Sequence, residues 1–404
     1  MANKVLYIHM IGAFGGASRS LFEIVRAFPA TQVTPYFVTP KGNVSTFFKE
    51  IGGTIIEVPG LTQFDNTRYS YYRGIRWLVG LRELIFLPHT IGAMRRAKRD
   101  WGDVDLIHLN EFTGIIPMLI ARRMFNVPVV VHVRSLARND AGSWRTKWVN
   151  HILREKASAV IAIDENVRAS LPQDLRVDVI HNAFTPAPAA AFDAVFDAKL
   201  KALRPGSVKV GFVGNLLKVK GLYDLIEAAR LVKGSGIDVE FVVVGGNGRS
   251  LAGIRGRFLK ALGLAHDVMA DLEVLIKQYE LRDTFHLFGF TADIQRFYPQ
   301  LDILCFPSHY DAPGRPIFEA AFSGVPSIVA VRDPKPDTLI HGETGLAVPP
   351  QDPVALASAI MALASDRKRS INMGSAARAM AQKNFDVQTN AGLVLEVYRR
   401  CLDD

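Results

Sequence analysis

Cysteine is almost absent. The 404 residues hold only Cys305 and Cys401, which excludes a disulfide framework and any cysteine-based metal site. A reducing compartment and no structural disulfide are the expectation. Long apolar runs are missing as well: nothing approaches the roughly 18 uninterrupted residues of a membrane span. The chain lacks the G-x-x-x-x-G-K-[ST] phosphate loop, tandem repeats, heptads, low-complexity tracts and clusters with metal-ligand spacing. A P-loop nucleotidase, a coiled coil and a repeat array are therefore excluded.

What remains is an ordinary globular composition, 49% hydrophobic and 22% charged, in a chain long enough for two domains. The net charge of +9 is uneven. Residues 1–185 carry 23 Lys and Arg against 15 Asp and Glu, and the remainder is close to balanced. Such an excess suits an anionic substrate, an anionic membrane surface or nucleic acid, and equally a plain soluble surface. The opening "MANKVLYIHMIGAFGG" has one Lys and an apolar run, as a signal peptide would, but it leads into "ASRSLFEIVRAF". Strand, glycine loop and helix is the preferred reading, in a cytoplasmic protein with scope for peripheral contact at the inner face of a membrane.

Short apolar, β-branched runs alternate with amphipathic helical patterns throughout: "KVLYIHM", "DLIHL", "VPVVVHV", "SAVIAI", then "SVKVGFVG", "VEFVVVG", "TFHLFGF", "LDILCFPS" and "PSIVAV". This predicts an α/β protein of two Rossmann-like domains with parallel sheets covered on both faces. The pattern stalls in the Ala/Pro-rich stretch "FTPAPAAAFDAVFDAKLKALRPG". The expected division is a domain over 1–185, a linker over 186–206, a second domain over 207–384, and a tail helix over 385–404 that could pack back on the first. In the tail, Val394, Val397, Tyr398, Cys401 and Leu402 fall on one helical stripe. Open parallel sheets carry their ligands beyond the carboxyl ends of the strands, so the loops after strands are where chemistry is sought.

Five stretches stand out. In "GFVGNLLKVKGLYDLIEAARLV" a strand ends at Gly214 and Lys220-Gly221 opens a helix, whose free amides and dipole suit a phosphate; a solvated lysine at a helix start is the plainer reading. In "DAPGRPIFEAAFSGVPSIVA", Asp311 opens a Pro/Gly loop and Glu319 follows eight residues later, inside a helix begun at Pro316. The two carboxylates could accept bonds from vicinal sugar hydroxyls, act as an acid/base pair, or simply match the helix dipole. "VGGNGRS" puts a glycine turn, including Gly246, at a strand end. "GAFGGASRSL" repeats the strand–glycine–helix arrangement at Gly15-Gly16, and "VPVVVHVRSLARND" sets His132 and Arg134 at a strand end, with His108 a similar candidate. Last, between Leu61 and Asp100, Arg68, Arg73, Arg76, Arg82, Arg95, Arg96, Lys98 and Arg99 interleave with Tyr69, Tyr71, Tyr72, Trp77 and Phe86. That mixture fits a segment lying on an anionic bilayer or a helical pair packed on its own domain. No nucleic-acid-binding motif accompanies it.

Together these pieces resemble the retaining glycosyltransferases of family 4. The resemblance spans nearly the whole chain and is strongest from about Val208 to Ala381. "GNLLKVKG" resembles the family's G-R-L-x-x-x-K-G, and "DAPGRPIFEAAFSGVP" its E-P-F-G-R-x-x-x-E-A-x-A-x-G-x-P. "VVVGGNG", "VIHNAF" and "HGETGLAVPPQDPVALASAI" follow further family patterns in the same order. The resemblance implies a glycosyltransferase-B fold, with two Rossmann-like domains facing across a cleft. It implies a nucleotide-sugar donor (UDP- or GDP-sugar), no cofactor and no metal, and a sugar or lipid-linked acceptor. It assigns Lys220 to the donor diphosphate, Glu319 to the ribose and Asp311 to the transferred sugar. Gly16, Gly214, Asn215, Gly246, Gly314, Arg315, Pro316 and Ile317 fall in donor-binding loops, Gly15, Gly16 again and Arg134 on the acceptor side, and His132 beside the transferred sugar. Three positions depart from the pattern: Asn215 replaces the Arg of G-R-L, Asp311 replaces a Glu, and "RDPKP" stands where many members have a glycine pair and Pro-Glu. Arg315 is a candidate for the missing charge.

The implied reaction is sugar transfer to an acceptor hydroxyl with retention of configuration, in glycan, surface-polysaccharide or glycolipid synthesis. An epimerase or phosphorylase on the same fold, and a nucleotide-sugar-binding protein without turnover, are the alternatives.

Overall fold

The computed structural model describes residues 2–70, 72, 78–186, 192–246 and 267–403. They form two compact units, Met1–Thr185 with Phe385–Asp404, and Pro186–Asn384.

The first unit holds a parallel sheet of seven strands among the described residues: β1 (Asn3–Ile8), β2 (Val33–Pro40), β3 (Thr54–Val58), β4 (Leu106–Leu109), β5 (Val129–Val133), β6 (Ala159–Ala162) and β7 (Asp178–Val179). Their order is β3-β2-β1-β4-β5-β6-β7. The central strands read "LIHL" and "VVVHV", with every residue buried, because helices cover both faces of a parallel sheet and leave no solvent side. The order reverses between β1 and β4, so their trailing loops diverge and open a crevice there. Register places Tyr7 opposite both Phe37 and His108.

The second unit repeats the plan with β8 (Val208–Val213), β9 (Val239–Val244), β10 (Phe285–Gly289), β11 (Ile303–Phe306), β12 (Ser327–Ala330) and β13 (Gly345–Val348). Here the order is β10-β9-β8-β11-β12-β13, with the reversal between β8 and β11. The helix Leu222–Lys233 buries Leu222, Leu225, Ile226 and Ala229 on one apolar face.

One stretch differs from its sequence reading. Within 186–206, expected as a linker, Ala194–Lys201 is a helix capped by the Asp193 carboxylate on the Phe196 amide. Phe196 is buried against Phe288 and Phe297 of the second unit. The tail helix Val387–Asp403 packs in the core of the first unit through Val394, Val397, Tyr398 and Cys401, alongside Val5, Tyr7, Leu21 and Ile24. Arg400 pairs there with Asp178 of β7. Both cysteines are free and buried. In the basic aromatic stretch, Val79–Asp100 is a helix with Pro88 inside it; Tyr71, Arg73, Arg76 and Trp77 lie outside the described residues. Among the described residues no helix is long and apolar enough to cross a membrane.

Candidate active site

The crevice of the second unit is built from the loops after β8, β9 and β11. After β8 the chain passes Gly214 and the exposed Asn215, then turns through a short 3-10 helix, Lys218–Lys220, into Gly221 and the helix Leu222–Lys233. Gly221 has φ +76°, and a Cβ there would lie 1.8 Å from the Pro307 carbonyl oxygen. Only glycine allows this turn to lie flat on the end of β11. The His309 amide donates to the Val219 carbonyl at 2.9 Å, and His309 Nε2 meets Asp224 Oδ2 at 2.6 Å. Gly245 plays the matching part on the other side: at φ +153° its missing Cβ leaves room for the Gly214 carbonyl, 1.8 Å from where it would stand. Gly246 accepts a bond from the Leu216 amide at 3.1 Å. The remainder of "VGGNGRS", from Asn247, lies outside the described residues.

This packing holds Lys220 at the mouth of the crevice. Its Nζ sits over the rings of Phe306 (5.5 Å) and Tyr310 (5.1 Å). Among the described residues no carboxylate pairs with it. Burial of the ammonium lowers its pKa from the ordinary lysine value, because a cation shielded from water and without a counter-ion is disfavoured. The two aromatic faces recover part of that cost.

The two carboxylates take different positions. Glu319 lies in the helix Arg315–Phe322 and is buried. Tyr298 OH donates to its Oε2 at 2.6 Å, and Arg315 Nε donates to its Oε1 at 2.8 Å. Pro316 occupies the first turn, and the Ile317 amide bonds back to the Gly314 carbonyl at 3.0 Å. Arg315, the expected substitute for the Arg missing at Asn215, pairs with Glu319 through Nε and rests its guanidinium against the Phe318 ring. Asp311 stands in the loop at φ +52°. Its Oδ1 accepts from the Arg332 amide at 2.8 Å, and its Oδ2 from Arg332 Nη1 at 3.0 Å. Arg332 belongs to the "RDPKP" stretch where the sequence departs from the family, so the two departures meet in one ion pair.

In the first unit, Gly15 is the N-cap of the helix Gly16–Ala27. A Cβ on Gly15 would meet nothing within 4 Å, so packing within the chain does not require glycine there. Behind this turn lies a polar core. Arg134 donates to Asn110 Oδ1 at 2.6 Å, to Asn182 Oδ1 at 2.7 Å, and toward His132 Nδ1 at 3.3 Å. Asn110 Nδ2 reaches His9 Nδ1 at 2.9 Å, and Tyr398 OH reaches His108 Nδ1 at 2.7 Å. His9, His108 and His132 are all buried, and each keeps a buried Nε2 without a partner. Burial first, and the nearby Arg134 cation second, lower their pKa values, to about 3 for His9 and His108 and well below the ordinary value for His132. With Nδ1 accepting from Arg134, the neutral His132 carries its proton on Nε2; the tautomer is assigned from the network. At the end of β4, Glu111 accepts from Ser135 Oγ at 2.7 Å and from the Phe112 amide at 2.9 Å. Burial pushes its carboxyl up to about 7.

The structure therefore gathers Gly214, Asn215, Lys220, Gly246, Gly314, Arg315, Pro316, Ile317, Glu319 and Asp311 at one end of the second sheet. Gly15, Gly16, His132 and Arg134 lie in the first unit. His132 and Arg134, expected at an open strand end, are instead buried. Sequence reasoning missed Tyr298, Arg332, Asn110, Asn182, His9 and Glu111. Three of these could have been found from position alone, since His9, Asn110 and Glu111 follow the strands at the sheet's reversal. Among the described residues no group of His, Cys, Asp or Glu could hold a metal ion.

Comparison with known proteins agrees with this geometry. Residues 197–380 match the family described as Glycosyl transferases group 1, and residues 14–188 match Glycosyltransferase Family 4. The 2-deoxystreptamine glucosyltransferase of Streptomyces kanamyceticus is 25% identical over 350 residues, 81% of this chain and 85% of that one. The D-inositol 3-phosphate glycosyltransferase of Pseudarthrobacter chlorophenolicus is 24% identical over 325 residues, 76% and 73% of the two chains. The Anabaena protein HepE, solved in complex with UDP and glucose, has the same fold, with a TM-score of 0.73 at 20% identity over 98% of this chain and 99% of that one. Two Rossmann-like units, and family matches that between them run from near the first glycine loop to the end of the second sheet's helices, lead to one conclusion: the chain belongs to the group 1, family 4 glycosyltransferases.

Proposed function

We propose that this glycosyltransferase moves a sugar from a nucleotide-diphosphate donor, a UDP- or GDP-sugar, to an acceptor hydroxyl with retention of configuration. Glycan, surface-polysaccharide or glycolipid synthesis is the setting it fits. The observation that carries the proposal is Lys220: a half-buried cation with aromatic neighbours and, among the described residues, no carboxylate partner, at the switch point of the second sheet. Breaking the anomeric C–O bond leaves negative charge on the departing diphosphate. A cation already stripped of water and held in place stabilises that charge without reorganising. HepE, solved with UDP and glucose, supports the donor class.

In this reading Glu319 accepts bonds from the ribose hydroxyls. Tyr298 and Arg315 fix its rotamer and occupy two of its roughly four acceptor positions. Asp311 and the Gly314 loop read the transferred sugar. Both carboxylates are held by donors, Asp311 by Arg332 and Glu319 by Arg315 and Tyr298. That favours hydroxyl recognition over nucleophilic or acid/base work. Same-face attack follows, with the leaving phosphate helping to take the acceptor's proton. On the first unit, the amides at Gly15 and Gly16 are assigned to the diphosphate and acceptor. His132 is assigned to the vicinity of the transferred sugar, its imidazole kept neutral by burial and by the nearby Arg134.

Lys220→Ala is the test. Turnover with the cognate donor is expected to fall by about a hundredfold or more, with circular dichroism and the thermal midpoint close to wild type. Near-normal turnover in a folded variant would remove the diphosphate assignment. A panel of UDP- and GDP-sugars screened by thermal shift identifies the donor to use, since a ligand that binds only the folded state raises its midpoint.

A further inference from the structure

Among the described residues, the helix Val79–Asp100 has an outward face with no partner. Leu78, just before it, and Leu81, Leu84 and Ile85 within it are 63%, 58%, 65% and 66% exposed. At 3.6 residues per turn they share one side, opposite the buried Glu83, Thr90, Ala93, Met94 and Ala97. The exposure does not come from a loosely attached helix. Glu83 Oε2 accepts from the Gln63 amide at 2.6 Å, Thr62 Oγ1 donates to the Glu83 carbonyl at 3.0 Å, and Thr90 Oγ1 accepts from the Thr62 amide at 2.9 Å. The inner face is pinned, and the leucines are presented.

Further along the same outward side, the apolar residues give way to Arg95, Arg96 and Arg99, all exposed. The acid that meets them is Asp100, paired with Arg96 at 3.3 Å and Arg99 at 2.8 Å. Exposed pairs of this kind are weak and exchange readily for phosphate. An exposed aromatic is tied to the apolar end: Trp144, 62% exposed, packs on Phe64, the residue after Gln63. One turn on from Trp144, Lys147 is also exposed.

We propose that this face docks the protein on an anionic lipid bilayer. Leu78, Leu81, Leu84 and Ile85 enter the headgroup–acyl boundary, and Arg95, Arg96 and Arg99 lie on the phosphates. The helix rests in the interface and does not span it. A charged, apolar-tipped face of this kind has one competing occupant, a second copy of the chain. Charge argues against that copy, because residues 1–185 carry 23 basic against 15 acidic side chains and two such surfaces repel. An anionic bilayer attracts the same surface. The inference is independent of the donor assignment.

The test is co-sedimentation of the full chain with vesicles of phosphatidylglycerol and phosphatidylcholine, against phosphatidylcholine alone. Wild type should bind the anionic vesicles and not the neutral ones. Leu81→Ser/Ile85→Ser should weaken that binding at least about tenfold. Arg95→Ala/Arg96→Ala/Arg99→Ala should weaken it by about fivefold per arginine removed and abolish the salt dependence. Lys220→Ala should bind vesicles like wild type, which separates this proposal from the reaction. Equal binding to both vesicle types overturns the proposal, as does undiminished binding by the leucine variant. So does a dimer in sedimentation velocity that the leucine variant abolishes while vesicles are ignored.

Discussion

Asp311 and Glu319 share a chemical group and differ in surroundings, and the difference decides what each can tolerate. Asp311 adopts φ +52°, a left-handed conformation that asparagine and aspartate accept better than most residues. Its partner Arg332 keeps a side chain 62% exposed to water, so their ion pair is screened and contributes at most about 1 kcal/mol. Glu319 is buried, as is Tyr298, and their 2.6 Å bond joins a hydroxyl to a charged oxygen away from solvent. A hydrogen bond to a buried charge contributes about 1.5–3 kcal/mol. Tyr298→Phe should therefore destabilise the second unit by about that amount and Arg332→Ala by less than about 1 kcal/mol, measured by urea unfolding. The reverse order would mean that Glu319 finds another donor when the tyrosine hydroxyl is lost. Arg315 belongs to the same comparison. Its Nε donates to Glu319, which uses one of a guanidinium's five N–H donors.

At the scale of elements, the loop between β8 and the helix Leu222–Lys233 shows how little freedom the crevice has. A Cβ at Gly221 would stand 1.8 Å from the Pro307 carbonyl oxygen, on a backbone at φ +76°. Gly221→Ala must both strain the backbone, by about 1–2 kcal/mol, and push β8's loop off the end of β11. A loss of at least about 2 kcal/mol is expected in denaturant unfolding, and wild-type stability would show that the two loops are not in contact. The glycine itself was legible in "KVKGLYDL" as a turn residue before a helix, and the strand–helix alternation was legible as parallel sheets because buried strands are apolar along their whole length. What it packs against was not legible, since Pro307 is distant in sequence and the approach is a backbone contact with no side-chain signature. The same limit hid Arg332 and Tyr298, whose partners are each 21 residues away in the chain. It hid the helix Ala194–Lys201 for a different reason: alanine and proline around it weaken the apolar period, and its place is set by one buried side chain, Phe196. The tail stripe was readable because its spacing is regular, but the surface it covers is chosen by tertiary packing alone.

Across the whole molecule, the polar core of the first unit links strands from the start of the chain to its end, for Tyr398 reaches His108 across 290 residues. It also links folding to pH. In the folded protein His9 and His108 are held to about 3, and His132 well below the ordinary histidine value, by burial and by Arg134. In the unfolded chain each binds a proton near 6.5. Between those limits unfolding takes up protons, so their contribution to stability is complete above about pH 6.5 and is lost as pH falls toward 3. Each histidine contributes a slope of about 1.4 kcal/mol per pH unit. Glu111 acts in the opposite sense. Raised to about 7 by burial, its carboxyl favours the folded state most at low pH, and that contribution fades as pH rises from about 4.3 through about 7. Three histidines outweigh one glutamate, so net stability should fall as pH drops below about 6.5. His9→Asn isolates one of the three, because the asparagine oxygen can still accept from Asn110 while the titrating ring is gone. Unfolding free energies measured between about pH 7.5 and 5.5 should decline in both proteins, and the variant's decline should be smaller by about 1.4 kcal/mol over that whole range. Parallel slopes would mean that burial and Arg134 do not hold His9 neutral.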